Sequence, residues 1–128
     1  MVVVVTGSRF WRDRALVRSV LAGLPPRSEV WHGAAPGLDS VAASVAASLG
    51  HRVFAVPAQW ARFGPSAGPR RNAALLAAAR PSLVLAFPLP GSRGTWSCVA
   101  LARAAGVPVR VINHWETTEE RGCQCTAA

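Results

Sequence analysis

Three glycine-bearing junctions hold the residue types best suited to chemistry in this sequence: Thr6–Trp11 (TGSRFW), His32–Asp39 (HGAAPGLD) and Leu89–Trp96 (LPGSRGTW). In the third, Gly91 and Gly94 permit positive φ and close backbone approach, and Thr95 can cap a following helix. The unpaired amides of such a first turn, together with the helix dipole, favour an anion, most naturally a phosphate. Ser92 adds a hydroxyl and Arg93 a charge-assisted donor. The first junction offers Gly7, Ser8 and Arg9 in the same role, and the second offers Gly33 and Gly37. In a fourth stretch, Gly68–Asn72 (GPRRN), Arg70 and Arg71 open a helix. Two like charges there oppose the dipole, and a bound anion would relieve them. The bland alternative at each junction is a tight turn with a helix cap.

Asp39 is the one acid near these junctions, and it is the catalytic candidate. A carboxylate there could contact ribose hydroxyls or assist departure of a base; otherwise it interacts with a helix N-terminus for about 0.3–1 kcal/mol. A single acid is a thin inventory for glycoside chemistry, which usually employs two carboxylates. Trp11 and His32 are candidates for contact with a base or ribose, weighed against a packing lid and a satisfied histidine. Trp60 and Phe63 read as a hydrophobic cover or an oligomer contact. Cys98 reads as a small core residue. His114, Cys123 and Cys125 lack four-ligand spacing, so no metal and no cofactor is expected.

The elements that must position these residues follow from periodicity. Val2–Thr6 is a continuous β-branched run, as a strand buried on both faces should be. Asp13 caps a helix starting near Arg14 and ended by Gly23 and the Pro25–Pro26 pair. Strands follow at Glu29–His32, His51–Pro57, Ser82–Pro88 and Val107–Asn113. Helices lie at Leu38–Leu49, around Asn72–Ala79 and at Thr95–Ala105, and residues 58–68 form a long loop. Five apolar strands alternating with four helices specify an α/β, Rossmann-like, doubly wound parallel sheet with helices on both faces. Strand order 3-2-1-4-5 brings all three glycine junctions to the carboxyl edge, at the reversal of strand order where ligands sit. The domain spans residues 1–113, followed by a tail at 114–128.

Composition narrows the class. The chain has 128 residues, of which 51% are hydrophobic, so a single domain with a real core is expected. No stretch approaches the roughly 20 apolar residues of a membrane helix. The start MVVVVTGSR lacks the pattern of a secretory signal, so the reading is a cytoplasmic protein with no membrane partner. The net charge is +8, and every basic residue is Arg. The arginines are scattered, which favours local anion sites over a nucleic-acid stripe, and Arg18, Arg27, Arg80 and Arg121 read as solvated. Three cysteines in such a chain do not imply a disulfide framework. Neither a Walker motif nor G-x-G-x-x-G is present, which disfavours an ordinary ATPase or dehydrogenase.

From Val2 to Ile112, VVTGSRFW, HGAAPGLDSVA, GPRRN and PGSRGTWSCVALARAAGVPV resemble the YspA-like (DUF2493) branch of the SLOG superfamily. That superfamily is related to the LOG phosphoribohydrolases ("lysine decarboxylase-like") and to the DprA proteins. The resemblance implies a phosphate cradle at Pro90–Thr95, because LOG enzymes carry P-G-G-x-G-T-x-x-E there. This chain has Ser92 for the second glycine and Cys98 for the catalytic glutamate. The LOG arginine-lysine pair is matched by Arg71 and Asn72.

The cradle is therefore retained and the family's catalytic acid is not. The favoured reading is a module that binds a nucleotide or nucleotide-derived ligand, such as a nucleoside phosphate or an ADP-ribose-like compound. An N-glycosidic hydrolase of a nucleoside monophosphate is the first alternative. DNA binding is the second, and is disfavoured. Homo-oligomerisation is compatible with the apolar content.

Overall fold

The computed structural model describes residues 1–113; the tail with His114, Arg121, Cys123 and Cys125 lies outside them. The described elements are β1 (Val2–Gly7), α1 (Arg14–Ala22), β2 (Glu29–His32), α2 (Leu38–Ser48), β3 (Arg52–Ala55), α3 (Trp60–Phe63), a 3-10 turn (Gly64–Ser66), α4 (Ala67–Ala79), β4 (Leu83–Phe87), α5 (Arg93–Ala104) and β5 (Val109–Val111). The strands form one parallel sheet in the order β3-β2-β1-β4-β5. This is the α/β Rossmann-like arrangement that the alternation of strands and helices requires.

The central strand explains the two layers. Val3 and Val5 of β1 point to one face, where they join Leu16, Val17 and Leu21 of α1 and Leu38, Ala42 and Val45 of α2. Val4 points to the other face, where it meets Leu75 and Ala79 of α4 and Ala102 of α5. All three valines are at most 1% exposed, which is why Val2–Val5 is apolar at every position rather than at every second one. Burying each such side chain stabilises the fold by about 1.5–3 kcal/mol relative to exposure. As expected, Asp13 caps α1, its Oδ1 accepting from Leu16 N at 3.0 Å.

Strands β3 and β5 are shorter than expected, at Arg52–Ala55 and Val109–Val111, and three further departures bear on the site. Residues 58–68, expected as a loop, contain α3, the 3-10 turn and the first two residues of α4. These pieces are too short to show a period. Helix α4 begins at Ala67, so Arg70 and Arg71 occupy its fourth and fifth positions rather than opening it. At the end of the first turn the dipole has largely fallen off, so the two arginines do not need an anion to relieve it. Helix α5 begins at Arg93, with Ser92 as its N-cap, so Thr95 sits inside the first turn instead of capping it. Gly91, at φ +83°, turns the chain early, and Ser92 closes the turn by donating its amide to Leu89 O.

Candidate functional site

The carboxyl edge of the sheet holds a cavity of about 480 Å³ beside β1 and β4, within the usual range for small-ligand sites. Three loops reach it. Gly7–Phe10 comes from the β1–α1 loop, Gly33 and Ala35 from the β2–α2 loop, and Pro90–Thr95 from the β4–α5 loop. Helix α4 closes the side with Arg71 and Asn72.

Each loop is fixed by the packing beneath it. Ser8 is buried and donates its amide to Phe87 O at 3.0 Å, while its own carbonyl accepts from Leu38 N and Trp11 N. Its hydroxyl also accepts from Phe10 N at 3.0 Å. A Cβ on Gly7 would lie 2.7 Å from Leu38 Cβ and 2.8 Å from Phe87 O, so β1 can pass under α2 only with glycine there. In the second loop, Asp39 Oδ2 accepts from Gly33 N at 3.0 Å and from Ala35 N at 3.2 Å. Arg71 donates through Nη1 to Gly33 O and through Nε to Asn72 Oδ1 at 2.9 Å. Asn72 Nδ2 in turn donates to Gly94 O at 3.5 Å. Through Arg71 and Asn72, helix α4 thus ties the second loop to the third.

The opening of α5 is the polar end of the cavity. The amides of Gly94 and Thr95 have no acceptor among the described residues. Thr95 is 3% exposed. Its Oγ1 is the one buried side-chain oxygen or nitrogen without a partner among them. Such a group costs about 1–3 kcal/mol when left unsatisfied. A Cβ built on Gly94 would meet nothing within 4 Å, so this turn faces open space. Arg9, Arg71 and Arg93 also line the cavity, and Glu29–Arg52 is the one ion pair among the described residues.

The titratable groups are few. Burial pushes the Asp39 carboxyl above its ordinary value, against the pull of its two amide donors and of His32 and Arg71. Burial pushes His32 below its ordinary value, with Asp39 acting in the opposite direction. Cys98 is 0% exposed, and burial raises its thiol to about 11. At neutral pH it is an uncharged core group, as its place in the pattern implied.

The sequence model of the YspA, cpYpsA-related SLOG family matches residues 1–63. The Gene 61 protein of Mycobacterium phage D29 is 39% identical over 116 residues, covering 84% of this chain and 92% of that protein. The chain belongs to this SLOG family. Among solved structures, DNA processing protein A (DprA) from Streptococcus pneumoniae matches with a TM-score of 0.53 at 20% identity, over 84% of this chain. The match spans 57% of the DprA chain, and at that identity it is a likeness of fold.

In this SLOG chain, ten of the expected ligand residues line this cavity: Gly7, Ser8, Arg9, Gly33, Arg71, Gly91, Ser92, Arg93, Gly94 and Thr95. Asp39, the catalytic candidate, lines it too. Four others lie outside the lining. Trp11 is 2% exposed, packs edge-on against Phe87 at 5.4 Å between centroids, and donates Nε1 to Asp13 O. His32 is buried and accepts from Ala34 N through Nδ1 at 2.9 Å. Gly37 is the N-cap of α2, against the backbone of Arg9. Arg70 turns to Ser66 and to the Phe63 ring, outward on α4.

Sequence reasoning passed over Phe10 and gave Asn72 and Trp60 lesser roles. Phe10 and Trp11 are adjacent aromatic residues, and the turn at Ser8 leaves the first exposed and the second buried. Asn72 carried a signal: it is a polar residue on the apolar stripe of α4, in register with Leu75 and Ala79, and all three are buried.

Proposed function

We propose that this SLOG domain binds a nucleotide or nucleotide-derived ligand, either a nucleoside phosphate or an ADP-ribose-like compound, with its phosphate at the opening of α5. The reading rests on the buried Thr95 hydroxyl, which lacks a partner at the same turn where the Gly94 and Thr95 amides are free. A phosphate oxygen would satisfy all three, with the helix dipole behind it. Arg93 and Arg9 supply positive charge within the same cavity.

The test is a thermal-shift and calorimetric titration of the full chain with AMP and ADP-ribose. A ligand at 100 times its Kd stabilises by about 2.7 kcal/mol, so a clear rise in Tm is expected with at least one of them. Absence of any shift with both would overturn the reading.

Binding without turnover fits the site better than hydrolysis. The residue at the LOG glutamate position is the buried, uncharged Cys98, which cannot serve as a general acid or base at neutral pH. Asp39 is the remaining acid in the lining, and its Oδ2 already holds two loop amides. Adenine released from AMP, and lost in Asp39→Asn, would turn the assignment to an N-glycosidic hydrolase. The name of the DprA neighbour raises DNA as a partner; binding that weakens steeply with salt would be its signature.

A further inference from the structure

Two of the most exposed large apolar side chains among the described residues belong to this same cavity. Phe10 is 72% exposed and Trp60 is 59% exposed, and both line it. Neither is loosely placed. Phe10 leaves a turn whose amides are held by Ser8, with Phe10 N on Ser8 Oγ and Trp11 N on Ser8 O. Trp60 opens α3, and its ring edge lies over α4 at Gly68, where a Cβ would come within 3.4 Å of Cη2. The neighbouring Trp11 is buried and Phe63 half-buried, so the chain had apolar partners available to rings in these segments. Two aromatic rings held in water at one cavity, with a phosphate-type polar end at α5, match a ligand carrying a flat aromatic group away from its anion.

Resting on the nucleotide reading, we infer that Phe10 and Trp60 form the base subsite, so that the ligand must carry a planar heteroaromatic base and a bare sugar phosphate binds poorly. Stacking is tolerant of base identity because every base has a π face. The rings therefore select for the presence of a base and discriminate only weakly among bases. Arg9, whose guanidinium lies 5.7 Å from the Phe10 ring centroid, joins the charged and aromatic parts of the cavity.

The experiment titrates the full chain with ribose 5-phosphate, AMP and ADP-ribose, in wild type and in Phe10→Ala, Trp60→Ala and the double variant. Both rings are exposed, so the variants are expected to fold, with unchanged circular dichroism. In wild type, AMP or ADP-ribose should bind at least tenfold more tightly than ribose 5-phosphate. The double variant should bring that ratio near one while leaving ribose 5-phosphate affinity unchanged. Equal affinity for sugar phosphate and nucleotide in wild type would overturn the base subsite while leaving the phosphate site standing. So would an unchanged ratio in the double variant, or a loss of self-association in sedimentation with the ratio intact. If none of the three compounds binds, the nucleotide reading falls and the subsite falls with it.

Discussion

Arg71 of α4 donates through Nη1 to the carbonyl oxygen of Gly33, 38 residues earlier in the chain. The contact joins α4 to the β2–α2 loop at the cavity wall, and it fills the space where a Gly33 side chain would lie, with Cζ 2.6 Å from an added Cβ. Removing the guanidinium strands the Gly33 carbonyl and takes away the donor to Asn72 Oδ1. Arg71→Ala is expected to cost about 1–2 kcal/mol of stability and to weaken nucleotide binding, as read by urea melts and titration. Gly33→Ala should mimic the binding loss by displacing the same side chain.

Two glycines, Gly37 beneath the cavity loops and Gly94 in the cavity lining, should respond in opposite ways. At Gly37, φ is +78° and an added Cβ would lie 2.6 Å from Arg9 Cα, so Gly37→Ala should lose at least about 2 kcal/mol. At Gly94 the added methyl meets nothing, and it replaces glycine in a helix. Gly94→Ala should leave stability unchanged or raise it by up to about 1 kcal/mol. Gly94→Val should reduce nucleotide affinity at least tenfold with the fold intact. Paired denaturation and titration of these variants distinguish a glycine required by the fold from one required by the ligand.

Thr95→Val removes the unpartnered hydroxyl and keeps the shape. Without ligand, the variant should equal or exceed wild type by up to about 1 kcal/mol, since a buried unsatisfied group is destabilising. With nucleotide present, its Tm gain should shrink. A stability loss without ligand would mean that the hydroxyl already has a partner.

The pH dependence has two opposed parts. Asp39 is raised above 3.8. Its contribution to stability is full below that value and is lost as pH rises through the folded-state pKa. His32 is lowered below 6.5. Its contribution is full above that value and is lost as pH falls through the folded-state pKa. The stability of wild type minus that of Asp39→Asn should therefore decline as pH rises from 3.8, and His32→Gln should soften the loss below 6.5. Urea midpoints across the acid to neutral range measure both, and a difference that grows with pH for Asp39→Asn would contradict the first.

Cys98 is fully buried with its thiol raised to about 11. Iodoacetamide at neutral pH should leave it unmodified in the native protein and label it after denaturation, as read by peptide mass spectrometry. Its contribution to stability is present below the ordinary value of 9.0 and lost as pH climbs through 11. Cys98→Glu, which restores the LOG-type residue, would bury a carboxyl on the inner face of α5 and should destabilise by several kcal/mol.

Much of the architecture was legible in the residues themselves. Val2–Val5 carries no polar position because β1 is covered on both faces, and that pattern already places the strand mid-sheet. Alternation of strand and helix then sends the β1, β2 and β4 exits to one edge, so Gly7, Gly33 and Gly91 had to come together. The start of α4 was not legible, because α3 and the 3-10 turn are shorter than one clear helical period.

What the sequence by itself determined is the sheet, its order and the edge where the glycine loops gather, because periodicity reports which face of each element is buried. The tertiary structure alone decided which side chains enter the cavity. Trp11 went inward because Phe87 offers its ring a partner, and Phe10, one residue before it, was left at the cavity. Likewise, Arg71 reaches Gly33 and Arg70 does not, since adjacent positions on α4 point about 100° apart and only one faces the loop. Such choices depend on contacts between residues far apart in the chain, and no local pattern encodes them.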